Sequence, residues 1–197
     1  MSYEELCRVH SDIYEHLPTL KLLSSLCTSV VECGVRNIVS SYAFLAGLPP
    51  TGRLTMVDPY RSEAMTAFLE RNPRASFVQA SDLECPLVET DLLFIDTWHV
   101  YGQLKRELAR WHSSVRKFIV MHDTELDGIR GESVRCNWDV AEQSHDSGIP
   151  VEEITKGLLP AISEFLADHP EWTLLTQYFN NYGLTILARS ERMTSGS

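Results

Sequence analysis

The sequence has little basic charge for its length. Its 197 residues carry 17 Lys and Arg against 27 Asp and Glu, which gives a formal net charge of -10. Such a surface repels phosphate backbones, so nucleic acid is not an expected partner. The apolar runs are also much shorter than a membrane-spanning helix requires, so we expect no membrane association.

Paired cysteines and a secretory leader are also missing. The five cysteines are scattered without a Cys-x-x-Cys pair, and their odd number does not suit a disulfide framework. Residues 1–6 lack the basic and apolar regions of a signal peptide. We therefore expect reduced thiols and a cytoplasmic protein. The amphipathic N-terminal segment would allow a homo-oligomer.

The dinucleotide-binding motif Gly-x-Gly-x-x-Gly is absent too. The chain instead has apolar runs that end in acids. The first run contains Glu32 and stops at Gly34, the next ends at Asp58, and two later runs end at Asp96 and Asp123. Because parallel strands in an α/β sheet bind ligands at their carboxyl ends, this pattern predicts a cofactor site at one sheet edge.

Apolar runs alternate with helical patterns along most of the chain. We predict strands over 30–33, 54–57, 76–79, 92–95, 118–121, 173–179 and 184–188. We predict helices over 3–16, 18–26, 42–46, 63–71, 101–111 and 154–168. Ser40 and Ser41 are candidate caps for the third of these helices.

This order predicts an α/β fold with a doubly wound, Rossmann-like sheet of seven strands. The sheet should be mostly parallel, with a C-terminal antiparallel hairpin at residues 180–183. Residues 1–190 should form a single domain, with N-terminal helices in 1–26 and a disordered tail over 191–197. The polar stretch 124–152 is predicted to be a long loop or lid with little regular structure.

On these features the chain resembles the class I S-adenosylmethionine-dependent methyltransferases. The residues that carry the resemblance are 31–36, Asp58, 94–99 and 121–124, together with 180–185 at the hairpin. Within that superfamily it is most similar to small O-methyltransferases of the catechol and macrolide-sugar type, often grouped as methyltransferase family 24. The resemblance implies a seven-stranded methyltransferase fold and S-adenosylmethionine as cofactor.

Two positions depart from the pattern of that family. Ile38 stands where the glycine-rich loop normally has a second glycine. The backbone must therefore approach the cofactor differently, or Asn37 adopts the left-handed conformation that the turn needs. His122 stands where the pair after the fifth strand usually begins with an acid.

The resemblance implies a set of cofactor-binding residues: Glu32, Gly34, Val35, Arg36, Ser40, Asp58, Pro59, Asp82, Asp96 and Trp98. Glu32 would meet the methionine end, and Asp82 would accept from the adenine amine. Asp58 lies 24 residues after Gly34, close to the spacing of a ribose-binding acid. The alternatives are a helix-capping acid at Glu32 and turn acids at Asp58 and Asp82.

Asp96 and Asp123 end neighbouring strands, so their carboxylates should converge. Two buried like charges repel unless a cation lies between them, which favours Mg²⁺ or another divalent cation. His122 as a third metal ligand would favour a transition metal. The alternative is that His122 packs as a neutral histidine.

Catalysis is assigned to Asp96 and His99. The resemblance implies that His99, three residues after Asp96, takes the proton from the acceptor hydroxyl. The alternative is a loop histidine that is hydrogen-bonded to Tyr101.

The hypothesis is methyl transfer from S-adenosylmethionine to a hydroxyl of a small molecule, assisted by a divalent metal. One alternative is a non-catalytic or hydroxylase-like member of the same fold. A less favoured alternative is a nicotinamide-dependent oxidoreductase.

Overall fold

Seven strands form one sheet in the computed structural model, which describes residues 2–190. The sheet order is β3-β2-β1-β4-β5-β7-β6. Strand β7 pairs antiparallel with both β5 and β6, and the other neighbours pair in parallel. The strands are β1 (Ser29–Cys33), β2 (Arg53–Asp58), β3 (Ala75–Gln79), β4 (Thr90–Ile95), β5 (Val115–His122), β6 (Trp172–Tyr178) and β7 (Leu184–Arg189).

Helices connect the strands and cover both faces of the sheet. The longer ones are α2 (Leu17–Ser25), α3 (Val39–Gly47), α4 (Glu63–Arg71), α5 (Tyr101–Trp111), α7 (Val140–Ser147) and α9 (Leu158–Asp168). Three single-turn helices are α1 (Tyr3–Leu6), α6 (Glu132–Arg135) and α8 (Val151–Ile154). Two 3₁₀ turns span Tyr14–His16 and His112–Ser114. The predicted α/β class and seven-stranded mixed sheet are confirmed.

The central strand β4 shows why this chain forms a sheet covered on both sides. All six of its residues are buried. Side chains alternate across a strand, so Leu92 and Phe94 enter the core beneath α2 and α3, while Leu93 and Ile95 enter the core beneath α5 and α9. A strand buried on both faces has a continuous apolar sequence, as parallel sheets require.

The predicted strands and hairpin agree with the structure to within a few residues. Helices α4 and α5 have the predicted bounds, 63–71 and 101–111. The hairpin turns through three residues with positive φ, namely Asn181, Tyr182 and Gly183. The antiparallel β7 next to β5 argues against the nicotinamide-dependent alternative, whose sheet is typically parallel. The predicted tail over 191–197 lies outside the described residues.

The helix predicted over 3–16 is wrong. Ser2 caps only the single turn α1, and Val9 is 54% exposed although it follows the buried Leu6 by three residues. The segment instead crosses the C-terminal hairpin: the Asn181 side chain donates to the Ser11 carbonyl at 2.9 Å and accepts from the Glu15 backbone at 2.9 Å. These long-range contacts outweigh the helical periodicity.

The interpretation of 124–152 as a loop with little regular structure is also wrong. The segment contains α6, α7 and the start of α8. The Asp139 carboxylate caps α7 by accepting from the Ala141 and Glu142 backbones, and Gly148 ends the helix with φ +69°. The capping signals were present in the sequence, but the polar composition obscured them.

Among residues 2–190, no helix combines the length and apolar character needed to cross a bilayer. All five cysteines lie in this range and are free thiols.

Candidate functional site

A cavity of about 920 Å³ opens at the carboxyl ends of β1, β2 and β4. Most of the predicted site residues line it. They are Gly34, Val35, Arg36, Ser40, Asp58, Pro59, Asp82, Asp96, Trp98, His99 and Asp123. Glu32 and His122, also predicted, lie behind its wall. We call the part around Gly34, Val35, Asp58 and Asp82 the cofactor half, and the part around Asp96, His99, Asp123, Asp127 and Glu132 the acceptor half. These names follow the expectations drawn from the sequence.

Gly34 is the point where three strand ends meet. Its φ is +85°, and a Cβ built on it would lie 2.0 Å from the Asp96 carbonyl oxygen. Its amide donates to the Val57 carbonyl at 3.0 Å, while the Asp96 amide donates to the Cys33 carbonyl at 2.9 Å. The position therefore requires glycine for both its conformation and its close approach to the neighbouring backbone.

Asp58 is fixed by backbone donors on both oxygens. Its Oδ2 accepts from the Val35 amide and its Oδ1 from the Tyr60 amide, each at 2.8 Å. The bond to Val35 ties the end of β2 to the loop after Gly34. Each carboxylate oxygen keeps a lone pair, so the fixed carboxylate can still accept from two vicinal hydroxyls.

Glu32 is fully buried beneath the pocket rather than facing it. It accepts hydrogen bonds from the Ser40 and Ser41 hydroxyls, the latter at 2.6 Å. Burial raises the pKa of this carboxyl to about 7, although the two serine hydrogen bonds oppose the shift. Of these three residues, Ser40 lines the pocket, so it links Glu32 to the cavity.

Ser40 and Ser41 therefore do not cap the third predicted helix. Helix α3 begins at Val39, and its N-cap residue is Ile38 in a left-handed conformation with φ +59°. The left-handed residue of this loop is thus Ile38 and not Asn37, which corrects the sequence interpretation. A β-branched residue is unfavourable there, and the burial of the Ile38 side chain in the core offsets that cost.

Asp82 belongs to a buried polar cluster that the sequence reasoning missed. The Gln103 amide donates to Asp82 Oδ1 at 3.3 Å and to Glu107 Oε1 at 2.9 Å. Burial and the neighbouring Asp82 charge raise the pKa of Glu107 well above its ordinary value, and burial raises that of Asp82. In the sequence, this cluster could have been recognised from the polar residues Gln103 and Glu107, which lie one turn apart on the apolar face of α5.

His99 lies among four carboxylates. Its Nε2 is 3.2 Å from Asp96 Oδ1 and 3.3 Å from Asp123 Oδ2. Its Nδ1 is 3.4 Å from Asp127 Oδ2 and 3.5 Å from Glu132 Oε2. The Tyr101 hydroxyl donates to Glu164 at 2.6 Å instead, so the alternative in which His99 bonds to Tyr101 is wrong.

These contacts determine the charge of His99. Burial alone would lower its pKa, but the contacts with Asp127 and Asp96 and the charge of Asp123 raise it well above its ordinary value. For Asp96, the attraction of His122 and His99 outweighs burial and holds the pKa far below the usual range. A protonated imidazole has no free lone pair, so His99 is an acid in this arrangement, and neutralising its carboxylates would make it a base.

His122 supports the acceptor half from behind. Its ring is 1% exposed, its Nδ1 lies 2.9 Å from Asp123 Oδ2, and its Nε2 lies 3.2 Å from the Asn181 carbonyl oxygen. Burial opposes protonation, yet the charges of Asp96 and Asp123 raise its pKa to about 10. This environment favours a protonated His122 over the neutral packed histidine of the alternative.

The possible metal ligands are arranged differently from the predicted set. Asp96, His99 and Asp123 each place a ligand atom within 4.8 Å of the others. His122, predicted as a ligand, is not part of this group. The structure thus pairs the two acids with His99 as the third candidate ligand.

The segment after β5 supplies an ion pair that the sequence did not reveal. Arg135 donates to both oxygens of the fully buried Asp127 at 2.6 and 2.8 Å. This contact orients Asp127 toward His99. Glu132 and Arg135 also line the pocket, so the predicted lid does contribute to the site, although as helix rather than loop.

The other predicted residues lie at the rim. The Trp98 indole donates to the Ser133 hydroxyl at 3.0 Å, which holds its ring against the cavity. Arg36 pairs with Asp12, and its side chain is 77% exposed.

Comparison with known proteins identifies the fold. No protein-family model matches the chain, and no curated protein matches it in sequence. Among solved structures, a protein from Corynebacterium glutamicum superposes with a TM-score of 0.67 at 15% identity, over 95% of this chain and 88% of that one.

Two further solved structures contain S-adenosylmethionine or S-adenosylhomocysteine. The O-methyltransferase TomG from Streptomyces achromogenes, in complex with S-adenosylmethionine, has a TM-score of 0.64 at 20% identity over 95% of this chain and 87% of that one. An O-methyltransferase from Bacillus cereus, in complex with S-adenosylhomocysteine, has a TM-score of 0.62 at 17% identity over 95% and 90%. The chain therefore has the fold of class I methyltransferases.

Proposed function

We propose that this protein transfers a methyl group from S-adenosylmethionine to a hydroxyl of a small molecule. The observation that carries the proposal is the shared cavity, which Gly34, Asp58 and Asp82 line together with the Asp96–His99–Asp123 cluster. A cavity of about 920 Å³ is large enough for a nucleoside cofactor and a small acceptor together. Solved methyltransferases of the same fold bind this cofactor or its product.

The cofactor half suits an adenosyl group. Asp58 would accept from the two ribose hydroxyls, because backbone donors already hold its carboxylate in place. Asp82 would accept from the adenine amine. The methionine end would lie over Gly34, where the absence of a side chain lets it approach the backbone, with Ser40 and the buried Glu32 below.

The acceptor half would bind and orient the hydroxyl that receives the methyl group. The methyl donor is already activated as a sulfonium, so the protein contributes mainly alignment and a destination for the proton. Asp96 remains ionised and can accept a hydrogen bond from the acceptor. His99 can receive the proton once the negative charge around it is compensated.

A divalent cation would provide that compensation. Asp96 and Asp123 would hold the ion through carboxylate oxygens that lie close to Nε2 of His99, and Nε2 itself would stay unliganded so that it can take the proton. Two carboxylates completed by water or acceptor oxygens suit Mg²⁺ or Mn²⁺. When bound, such an ion lowers the pKa of a coordinated hydroxyl. Asp127 and Glu132 would then hold Nδ1 of His99 and orient its ring.

One observation favours a second candidate function. Acidic side chains lie next to both ring nitrogens of the charged His99. These charges balance one another even if the protein catalyses no reaction. A non-catalytic protein of this fold, which binds the cofactor without transferring its methyl group, would keep that arrangement. The two candidates differ in whether S-adenosylhomocysteine is formed.

The test is a methyl-transfer assay with S-adenosylmethionine carrying a labelled methyl group. A panel of phenols, catechols and sugars serves as acceptors, with and without Mg²⁺, Mn²⁺ or Zn²⁺. We expect S-adenosylhomocysteine to accumulate with at least one acceptor, and Asp96→Asn to lower the rate about 10²–10³-fold.

Cofactor affinity is measured on the same Asp96→Asn preparation. We expect it to remain within about threefold of the unsubstituted protein, because Asp96 is assigned mainly to the acceptor. Joint loss of affinity and rate would contradict that assignment. Cofactor binding with no transfer to any acceptor would favour the non-catalytic candidate.

A further inference from the structure

A second cluster of metal-ligand side chains lies at the opposite edge of the sheet from the cavity. His112 follows the last residue of α5, His169 follows the last residue of α9, and Glu171 directly precedes β6. The cluster forms where the chain enters β5 and β6, whereas the cavity lies where strands β1, β2 and β4 end. The proposed methyl transfer does not use any of these three residues.

The geometry of the cluster suits one metal ion. Each residue places a ligand atom within 4.8 Å of the other two. Glu171 Oε1 lies 3.5 Å from His169 Nδ1 and 3.9 Å from His112 Nδ1, and the two imidazole rings are 4.1 Å apart. Metal–ligand bonds of about 2.0–2.2 Å in a tetrahedron place neighbouring ligand atoms about 3.3–3.6 Å apart. Small rotations of the side chains would close the site.

One ligand atom is buried without a partner. Among the described residues, Nδ1 of His112 makes no hydrogen bond although it is shielded from solvent. A buried polar atom of this kind costs free energy unless something binds it. A neutral imidazole in this position can donate the lone pair of this nitrogen to a metal.

The groups around the cluster include some that attract a cation and one that repels it. Two helix C-termini point at the cluster, and each contributes partial negative charge from its last carbonyls. The Phe165 ring packs against both imidazoles, at 5.7 Å from His112 and 4.5 Å from His169, and restricts their rotation. Arg189 is the opposing positive charge, but its Nη1 is held at 2.6 Å by the Val115 carbonyl and its guanidinium lies over Trp172.

We propose that His112, His169 and Glu171 bind a divalent transition-metal ion, with Zn²⁺ as the preferred occupant. Two imidazoles and one carboxylate suit Zn²⁺ better than Mg²⁺ or Ca²⁺, which prefer oxygen ligands throughout. The partly exposed side chains leave the fourth position open to water. The ion would tie the ends of α5 and α9 to the start of β6, so its role would be structural.

The experiment is a calorimetric titration of the whole protein with Zn²⁺, in a buffer that does not bind the metal. The variants are His169→Gln, Asp96→Asn and His145→Gln. His145 is an exposed histidine on α7 and is the matched control for losing one imidazole. Asp96→Asn weakens the cluster in the cavity, which could also take up Zn²⁺.

We expect His169→Gln to weaken Zn²⁺ binding more than tenfold. Loss of a residue that only orients a metal ligand already lowers metal affinity about 10–100-fold. His145→Gln and Asp96→Asn should each retain it. Zn²⁺ at 100 times its Kd should raise the Tm of the unsubstituted protein by about 5–10 °C, and that of His169→Gln by much less.

The proposal is overturned if His169→Gln binds Zn²⁺ as the unsubstituted protein does, or if Asp96→Asn abolishes all Zn²⁺ binding. Should His169→Gln fail to fold, Glu171→Gln replaces it, because this variant removes a ligand charge and leaves both rings in place. Unchanged affinity in Glu171→Gln overturns the proposal as well. The result is independent of methyl transfer, which is measured separately.

Discussion

The two halves of the cavity are built in different ways. In the cofactor half, Gly34 and Asp58 lie at strand ends and are fixed by nearby backbone, as Asp58 is by the amides of Val35 and Tyr60, while Asp82 is held by the Gln103 side chain. In the acceptor half, the side chains fix one another, as His99 does with Asp96, Asp123, Asp127 and Glu132. Backbone placement is insensitive to single charges, whereas a network of charges depends on every member.

The largest expected effect is on the backbone of the cofactor half. Gly34→Ala would place a Cβ 2.0 Å from the Asp96 carbonyl oxygen, in a residue with φ +85°. We expect a loss of about 4 kcal/mol in the free energy of unfolding and loss of cofactor binding, measured by urea unfolding and calorimetry.

Gly148→Ala is the matched control for that substitution. Gly148 also has positive φ, +69°, but nothing lies within 4 Å of an added Cβ. Only the conformational cost of about 1 kcal/mol should appear. Equal losses for both variants would show that φ alone matters and that close approach at Gly34 does not.

Glu32, the buried acid under the cofactor half, should make the free energy of unfolding depend on pH. The pKa of Glu32 is raised from 4.5 to about 7, so the folded state holds a proton that the unfolded state releases between these values. The free energy of unfolding should therefore fall as pH rises from 4.5 to 7, by up to about 3 kcal/mol from this group. Glu32→Gln should remove that fall.

Urea unfolding at several pH values between 4 and 8 measures this effect. Glu70→Gln, which removes an exposed carboxylate of α4, is the control and should leave the slope unchanged. If Glu32→Gln and the unsubstituted protein show the same slope, the Glu32 carboxyl is ionised in the fold throughout this range.

The smallest expected effects are on the free energy of unfolding, when one arginine on each side of the cavity is replaced. Arg135→Ala removes the bidentate hydrogen-bond partner of the fully buried Asp127 and should lower the free energy of unfolding by about 2 kcal/mol. Arg36→Ala breaks an ion pair with Asp12 in which the arginine is 77% exposed, and should cost under about 0.5 kcal/mol. Chemical unfolding of both variants measures the difference, and equal costs would contradict the contrast between the halves.

The same contrast explains how far the sequence could predict the structure. Strand ends such as Asp58 and Asp96 were predictable, because an apolar run followed by an acid is a local pattern. The charge of His99 was not, since it depends also on Asp127, which the chain brings in from a segment interpreted as loop.

Long-range contacts caused the other errors as well. Residues 3–16 have helical periodicity, but the segment opens because Asn181 binds the Ser11 carbonyl. Likewise, Ile38 adopts the left-handed conformation because its side chain is buried in the core, and the sequence offered only the general preference of Asn37.

The most direct test of the proposed cofactor site is calorimetric titration with S-adenosylhomocysteine, comparing the unsubstituted protein with Asp58→Ala. The account predicts one molecule bound per chain, and an affinity at least about tenfold weaker in Asp58→Ala, which loses the acceptor for both ribose hydroxyls. Absence of binding to the unsubstituted protein at millimolar concentration, or equal affinity in the two proteins, would contradict it.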